Sequence, residues 1–212
     1  LKVIAITGSS GKTTLKTLLG KTLSEYDKTY FSQKSFNNNI GVPLSLCNIE
    51  NDHKYGIFEI GMSKSGEIRK LSNLVKPDIA VITNVGEAHL ENFSNLNGIA
   101  KAKSEIIENI SKGGYLILNN DDKYFNYFLK LARQRNINVL SFGSNNFNIS
   151  LEELKDYLNF KLVTTSNNFK NIIDFKSHDV LLIHQDYIKN NYDERLLNET
   201  NKIKILLFAP GN

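Results

Sequence analysis

Short β-branched runs alternate with longer stretches of helical spacing along the first two thirds of the chain, a pattern that predicts strands and helices in turn. Lys2 to Thr7, with Val3-Ile4-Ala5-Ile6 inside it, reads as a strand buried on both faces. Leu15, Leu18, Leu19 and Leu23 then recur at helical intervals and predict a helix from Lys12 to about Tyr26. A turn-rich stretch from Ser32 to Gly41 leads into a short helix through Pro43 to Asn48. Strands are predicted at Tyr55 to Ile60, Asp78 to Thr83, Tyr115 to Leu118 and Asn138 to Phe142.

Between them fall three further helices. Ser65-Gly66-Glu67 opens one, with Ile68, Leu71, Leu74 and Val75 on its buried face. A long one runs from Asn95 to Ile110. The last, Lys123 to Arg135, is expected to be capped by the turn Asn119 to Asp122. The fold class is therefore α/β, a doubly wound, mostly parallel sheet over residues 1–143. Right-handed crossovers place the carboxyl ends of its strands along one edge, where a ligand binds. Beyond Gly143 the pattern loosens: a helix is expected at Leu151 to Leu158, and strands at Asp179 to His184 and Lys202 to Phe208.

Composition narrows the classes. No apolar run approaches the roughly 18 residues of a membrane span. The net charge of +4 comes mostly from scattered lysines without an aromatic-rich basic stripe, which argues against nucleic acid and fits solvated surface or phosphate-bearing ligands. The single cysteine, Cys47, is read as a small buried hydrophobe among Val42, Leu44, Leu46 and Ile49, and cysteine usage suits a cytoplasmic protein. A chain that opens on Leu1 with a strand already begun is expected to lie inside a longer protein.

The chemistry starts at the loop after the first strand, Thr7-Gly8-Ser9-Ser10-Gly11-Lys12-Thr13-Thr14. Its glycines permit backbone angles that turn successive N–H groups onto an anion, and the following helix adds its positive end. Lys12 can reach β- and γ-phosphates, and the Thr13 hydroxyl suits Mg²⁺. The commoner spacing G-x-x-x-x-G-K-[ST] is not met, because residue 6 is Ile.

Other positions stand out against their surroundings. Glu59 ends a strand where Ile or Val is expected, which suits either a metal carboxylate or a surface ion pair. Lys103 lies four residues after Ile99 and three before Ile106, so it points inward with them, while Lys101 is rotated off that face. Two readings fit Lys103: a buried amine of lowered pKa, or a stem that snorkels to water. His89, a few residues past a strand end, is a structural or a ligating histidine. Asn84 is a candidate for positioning a nucleotide or a metal-bound water. Asn37, Asn38 and Asn39 either shape a cleft or form turns.

Four segments in order resemble the Mur ligase family: the loop 7–14, Asn37-Asn38-Asn39-Ile40-Gly41-Val42-Pro43, Glu59-Ile60-Gly61-Met62 with Gly66-Glu67-Ile68, and Thr83-Asn84-Val85-Gly86-Glu87-Ala88-His89-Leu90-Glu91 with Ala100-Lys101-Ala102-Lys103. The second and third are similar to the MurF type. The resemblance spans Val3 to Gly143 and implies an ATP-dependent amide ligase of peptidoglycan precursor synthesis, cytoplasmic and monomeric. It implies UDP-N-acetylmuramoyl-tripeptide as the acid, D-alanyl-D-alanine as the amine and an acyl phosphate between them. It assigns Gly8, Ser9, Ser10, Gly11, Lys12, Thr13, Thr14 and Asn84 to ATP. One Mg²⁺ falls to Thr13 and Glu59, and another to His89 and a carbamylated Lys103. Lys12, His89 and Lys103 carry catalysis.

The resemblance does not extend to residues 144–212, which are expected to be a divergent remainder of the central domain or a truncated C-terminal one. A related ligase such as folylpolyglutamate synthetase, or an inactive nucleotide-binding fragment, are the competing readings.

Overall fold

Six strands, β1 (Lys2–Thr7), β2 (Thr29–Phe31), β3 (Tyr55–Glu59), β4 (Ile79–Ile82), β5 (Tyr115–Asn119) and β6 (Asn138–Phe142), form one sheet in the order β2-β3-β1-β4-β5-β6. Every neighbouring pair is parallel. The computed structural model describes residues 1–88, 92–93 and 95–143, together with the backbone of two further strands. Those two, β7 (Val180–His184) and β8 (Ile205–Ala209), pair in parallel with Val180 opposite Ile205. The helix expected at residues 151–158 lies outside the described residues. By internal contacts the chain divides into two units, Leu1–Asn148 and Ile149–Asn212.

The sheet is buried on both faces because its central strands are apolar throughout. In β1, Ile4 and Ile6 face α1 (Lys12–Ser24) and pack with Ile57, Val81, Leu15 and Leu19. Val3 and Ala5 face the other way, into a larger core with Phe58, Ala80, Ile82 and Leu116. That side is covered by α2 (Gly41–Cys47), α3 (Glu67–Val75), α4 (Leu96–Ser104) and α5 (Phe125–Gln134). Helices on both faces of a parallel sheet make the doubly wound arrangement. In register, Ile6 stands opposite Glu59 and Thr7 opposite Ile82, so the ends of β1, β3 and β4 are level. From β1 the chain crosses to one side of the sheet and from β4 to the other, which opens a crevice at their carboxyl ends.

Several local expectations change. The edge strand β2 has no signature in the pattern, being three half-buried residues that pair only with β3. Leu74 is 53% exposed, because Ile68, Leu71, Ser72 and Val75 make the inward stripe of α3 and Leu74 turns away. Ser72 takes its place inside, receiving a 2.8 Å hydrogen bond from Asn109 Nδ2. Cys47 is exposed rather than buried: α2 presents Gly41, Val42 and Ser45 to the core, and Cys47 lies on its outer side. Asp122 does not cap a helix beginning at Lys123. It accepts the Tyr124 N–H at 2.8 Å in a turn, and α5 starts at Phe125.

The long helix from Asn95 divides in two. Asn95 caps α4, accepting the Gly98 N–H at 3.0 Å. After Ser104 the chain tightens into a 3₁₀ segment, Glu105–Asn109. The six residues from Ala102 to Ile107 are all buried, so this junction passes through the interior rather than along its surface. Glu105 is the acidic member of that run, 3% exposed. Its Oε1 accepts from Gly66 N–H (2.8 Å) and Ser65 Oγ (3.0 Å), and its Oε2 accepts from Arg69 N–H (3.0 Å). A carboxylate delivered from another helix thus satisfies the amino end of α3 and meets its positive dipole.

Replacing Glu105 by Ala removes the one buried acceptor that these three donors share. Urea unfolding is expected to show a loss of about 1.5–3 kcal/mol, the range for hydrogen bonds to a charged group. A loss within about 0.5 kcal/mol, the surface range, shows that the contact carries little stability.

Candidate active site

At the end of β1 the chain turns sharply at Gly8, where φ is +153° and an added Cβ would stand 1.8 Å from Thr83 Oγ1. No side chain fits there. Gly11, at φ 78° and ψ −5°, then sets the start of α1. Between these glycines the loop is stitched to the segment after β4. Thr83 Oγ1 donates to the Ser10 carbonyl at 2.6 Å. Asn84 Oδ1 accepts from the N–H groups of Ser9 (3.1 Å) and Ser10 (3.0 Å), and its Nδ2 donates to Ser10 Oγ at 2.7 Å. The Gly86 N–H donates to Ser9 Oγ at 2.8 Å, and Ser9 Oγ donates to the Gly86 carbonyl at 3.0 Å. Asn84 therefore acts on the loop itself, holding its two serine amides.

The Lys12 ammonium curls back over the loop and donates to the carbonyls of Gly8 (2.7 Å) and Ser9 (3.4 Å). Burial pushes its pKa down, and the negative charge of Glu59 opposes the change. Thr14, the last residue of the motif, is exposed.

Thr13 Oγ1 donates to Glu59 Oε2 at 2.8 Å, linking the first turn of α1 to the end of β3. Glu59 is 1% exposed, so it is not a surface ion pair. Its other oxygen, Oε1, accepts from Asn37 Nδ2 at 2.7 Å. The Asn37 carbonyl in turn accepts the Gly61 N–H at 2.7 Å. Asn38 does a different task, capping α2 by accepting the N–H of Gly41 at 2.8 Å. Asn37 thus makes a site contact and Asn38 a turn, while Asn37, Asn38 and Asn39 all line the same cleft. A hydroxyl and a carboxylate at this point are hard oxygen donors of the kind Mg²⁺ selects.

Lys103 points inward, at 2% exposure, which rules out the snorkelling alternative. Its pKa is pushed down to about 7, first by burial and then by the positive charge of Lys12, with Asp122 opposing. Asp122 Oδ2 is held in place by the Val85 N–H at 2.7 Å. Lys101 is exposed, as its rotation on the helix requires. Lys12, Lys103, Gly8 and Asn37 all line one cleft of about 530 Å³, walled on its far side by Met62, Ser63 and the start of α3. His89 lies outside the described residues.

Two groups escaped the sequence reading. Lys16 is 1% exposed, with its Nζ 3.6 Å from Glu59 Oε2 and donating to the Lys34 carbonyl. Burial lowers its pKa against the attraction of Glu59. Its signal was available: Lys12, Lys16 and Gly20 recur every four residues along α1, and both Lys16 and Gly20 are buried. Asp122 had none, because its contact with Val85 spans 37 residues. Elsewhere, Glu50, Asp52 and His53 stand close enough to hold an ion, but Lys28 Nζ already bonds Asp52 Oδ1 at 2.8 Å and His53 Nδ1 accepts the Glu50 N–H at 2.9 Å.

The position of Lys103 gives stability a pH dependence. Unfolded, its amine holds a proton up to about 10.5; folded, it releases that proton near 7. Between those values the unfolded chain binds more protons, so stability rises with pH, and the cost is fully present below about 7. In CO₂-free buffer, the unfolding free energy relative to Lys103→Met is expected to climb by about 2 kcal/mol from pH 7.5 to 9.5. Parallel urea profiles for the two proteins over that range show that Lys103 does not titrate this way.

Comparison with known proteins places this geometry. The family model for the Mur ligase middle domain matches residues 6–185. The UDP-N-acetylmuramoyl-tripeptide--D-alanyl-D-alanine ligase of Rickettsia prowazekii is 44% identical over 144 residues, which are 67% of this chain and 32% of that protein. Its counterpart in Buchnera aphidicola is 42% identical over 136 residues, 64% of this chain and 30% of the relative. The chain therefore spans about a third of the length of the curated relatives it matches. Among solved structures, MurF from Acinetobacter baumannii aligns with a TM-score of 0.65 at 40% identity, over 67% of this chain and 31% of that one. MurF ligase from Thermotoga maritima, solved in complex with ADP, aligns at 0.61 and 31% identity, over 69% and 34%. Loop, sheet order and family match agree, and the chain belongs to the Mur ligase family through that family's middle domain.

Proposed function

We propose that this chain is the ATP-handling domain of a ligase that joins D-alanyl-D-alanine to UDP-N-acetylmuramoyl-tripeptide. The observation that carries the reading is the convergence of Gly8 and Lys12 of the loop, buried Lys103 and the Asn37 that holds the Thr13–Glu59 pair on one cleft, in a chain 42–44% identical to ligases of that name. The residues matched to the MurF type favour this substrate class over that of folylpolyglutamate synthetase. In this reading a cytoplasmic enzyme takes ATP and the sugar-linked peptide acid, and acts as a monomer.

The obstacle in such a reaction is electrostatic: a carboxylate must approach a triphosphate, so the site's task is charge neutralisation and alignment. Gly8 to Thr14 form the phosphate cradle, with the amino end of α1 facing the anion. Lys12, whose donors rest on the Gly8 and Ser9 carbonyls, exchanges them for phosphate oxygens. Asn84 keeps the loop in shape from behind. Mg²⁺, when bound, draws off charge from the β- and γ-phosphates, and Thr13 with Glu59 are the residues to hold it. The acid's carboxylate takes the γ-phosphoryl group to give an acyl phosphate and ADP, and the amine then displaces phosphate.

Lys103 has the chemistry for carbamylation. At neutral pH much of its amine is uncharged, so its lone pair can add to CO₂ as the nitrogen loses a proton, giving a carbamate anion. That anion turns a buried cation into a second carboxylate facing the cleft, to serve with His89 as ligands for a second Mg²⁺.

Three measurements test the reading. Lys12→Ala is expected to weaken ADP binding by calorimetry at least tenfold, about 1.4 kcal/mol, with the circular dichroism unchanged. Under ¹³CO₂, a carbamate carbon signal is expected in the wild type and missing from Lys103→Arg; its persistence in the variant removes Lys103 from this role. Phosphate release dependent on both UDP-N-acetylmuramoyl-tripeptide and D-alanyl-D-alanine marks the ligase. If ADP binds and no such release occurs, the chain is a nucleotide-binding module without the full reaction.

A further inference from the structure

Glu59 is already neutralised before any metal arrives. Its two oxygens are taken by Thr13 Oγ1 (2.8 Å) and Asn37 Nδ2 (2.7 Å), and Lys16 Nζ stands 3.6 Å from the same oxygen that Thr13 uses. Lys16 is as buried as the carboxylate, each about 1% exposed, so water screens their interaction little. Its ammonium also donates to the Lys34 carbonyl, which pins it in place. A buried lysine whose stem runs along α1 is not needed for packing, since a leucine or methionine fills that space without the cost of desolvating a charge. No step of the proposed reaction uses it.

We infer that Lys16 is a positioning residue that acts as a resident counter-ion: it keeps the nucleotide-free site from taking up a divalent cation, so that metal enters only with the phosphates. The inference rests on the assignment of Thr13 and Glu59 to the metal. A free divalent ion approaching Glu59 meets one positive charge fixed beside the oxygen it needs and a second on Lys12, whose ammonium is close enough to feel Glu59. Like charges at such separations repel strongly in a buried site. When a nucleotide's phosphates arrive, their negative charge offsets both ammonium groups, and the same carboxylate becomes a favourable ligand. The order of binding then follows from charge alone. It also ties the loop at Lys34 to the state of the metal carboxylate, because Lys16 touches both.

Mn²⁺ can stand in for Mg²⁺ and be counted by electron paramagnetic resonance without turnover. With the full 212-residue chain, wild type is expected to bind Mn²⁺ at least tenfold more tightly with ADP than without it. Lys16→Met is expected to bind Mn²⁺ alone at least tenfold more tightly than wild type, and Lys16→Arg to behave as wild type. Lys16→Gln, polar and uncharged, serves beside Met in case the apolar variant does not fold, and thermal midpoints with and without Mn²⁺ give a second readout. Unchanged or weaker Mn²⁺ binding in whichever neutral variant folds overturns the inference, as does wild type binding Mn²⁺ equally well without ADP. If neither folds, the wild-type comparison decides. Glu59→Gln separates the two failures: should it keep full Mn²⁺ affinity in the presence of ADP, the metal assignment itself is wrong.

Discussion

A carboxylate held out of water at the end of a parallel strand is the constraint around which this site is organised. Burying Glu59 without partners costs several kcal/mol, so the fold surrounds it with a hydroxyl, an amide and an ammonium. They come from two segments other than β3: Thr13 and Lys16 from α1, Asn37 from the turn before α2. Satisfying one charge therefore fixes three segments relative to one another. The cleft is in large part the space left between them.

The parallel sheet makes this possible. Level ends at β1, β3 and β4 bring residues 7–14, 59–61 and 83–86 to one edge, although tens of residues separate them in the chain. The loop amides of Ser9 and Ser10 are held by Asn84 in the absence of an anion, which keeps the cradle formed without leaving buried donors unpaired. Behind the cleft, Glu105 fastens α3 to the chain that carries Lys103.

Two lysines at this edge illustrate how burial changes chemistry. Lys103 and Lys12 both lose basicity through desolvation, and each also lies in reach of another charge. Lys103 is brought to about 7, where an amine can act as a nucleophile, while Lys12 is kept nearer its usual state by Glu59.

Sequence alone determined what depends on neighbours in the chain. The strands β1 and β3 to β6, the loop at Gly8 to Thr14 and the inward aim of Lys103 follow from apolar periodicity and glycine placement. Those signals operate over four or fewer residues. The three-residue strand β2 escaped because its only support is pairing with β3. Leu74 and Cys47 were misread because periodicity gives the existence of a face and leaves its exact direction to packing. Only the tertiary structure decided that Lys16 meets Glu59, that Asn37 rather than Asn38 touches the carboxylate, and that Asn84 holds the loop. Those contacts span 22 to 75 residues, and a polar side chain carries no local mark of a partner brought to it by the fold.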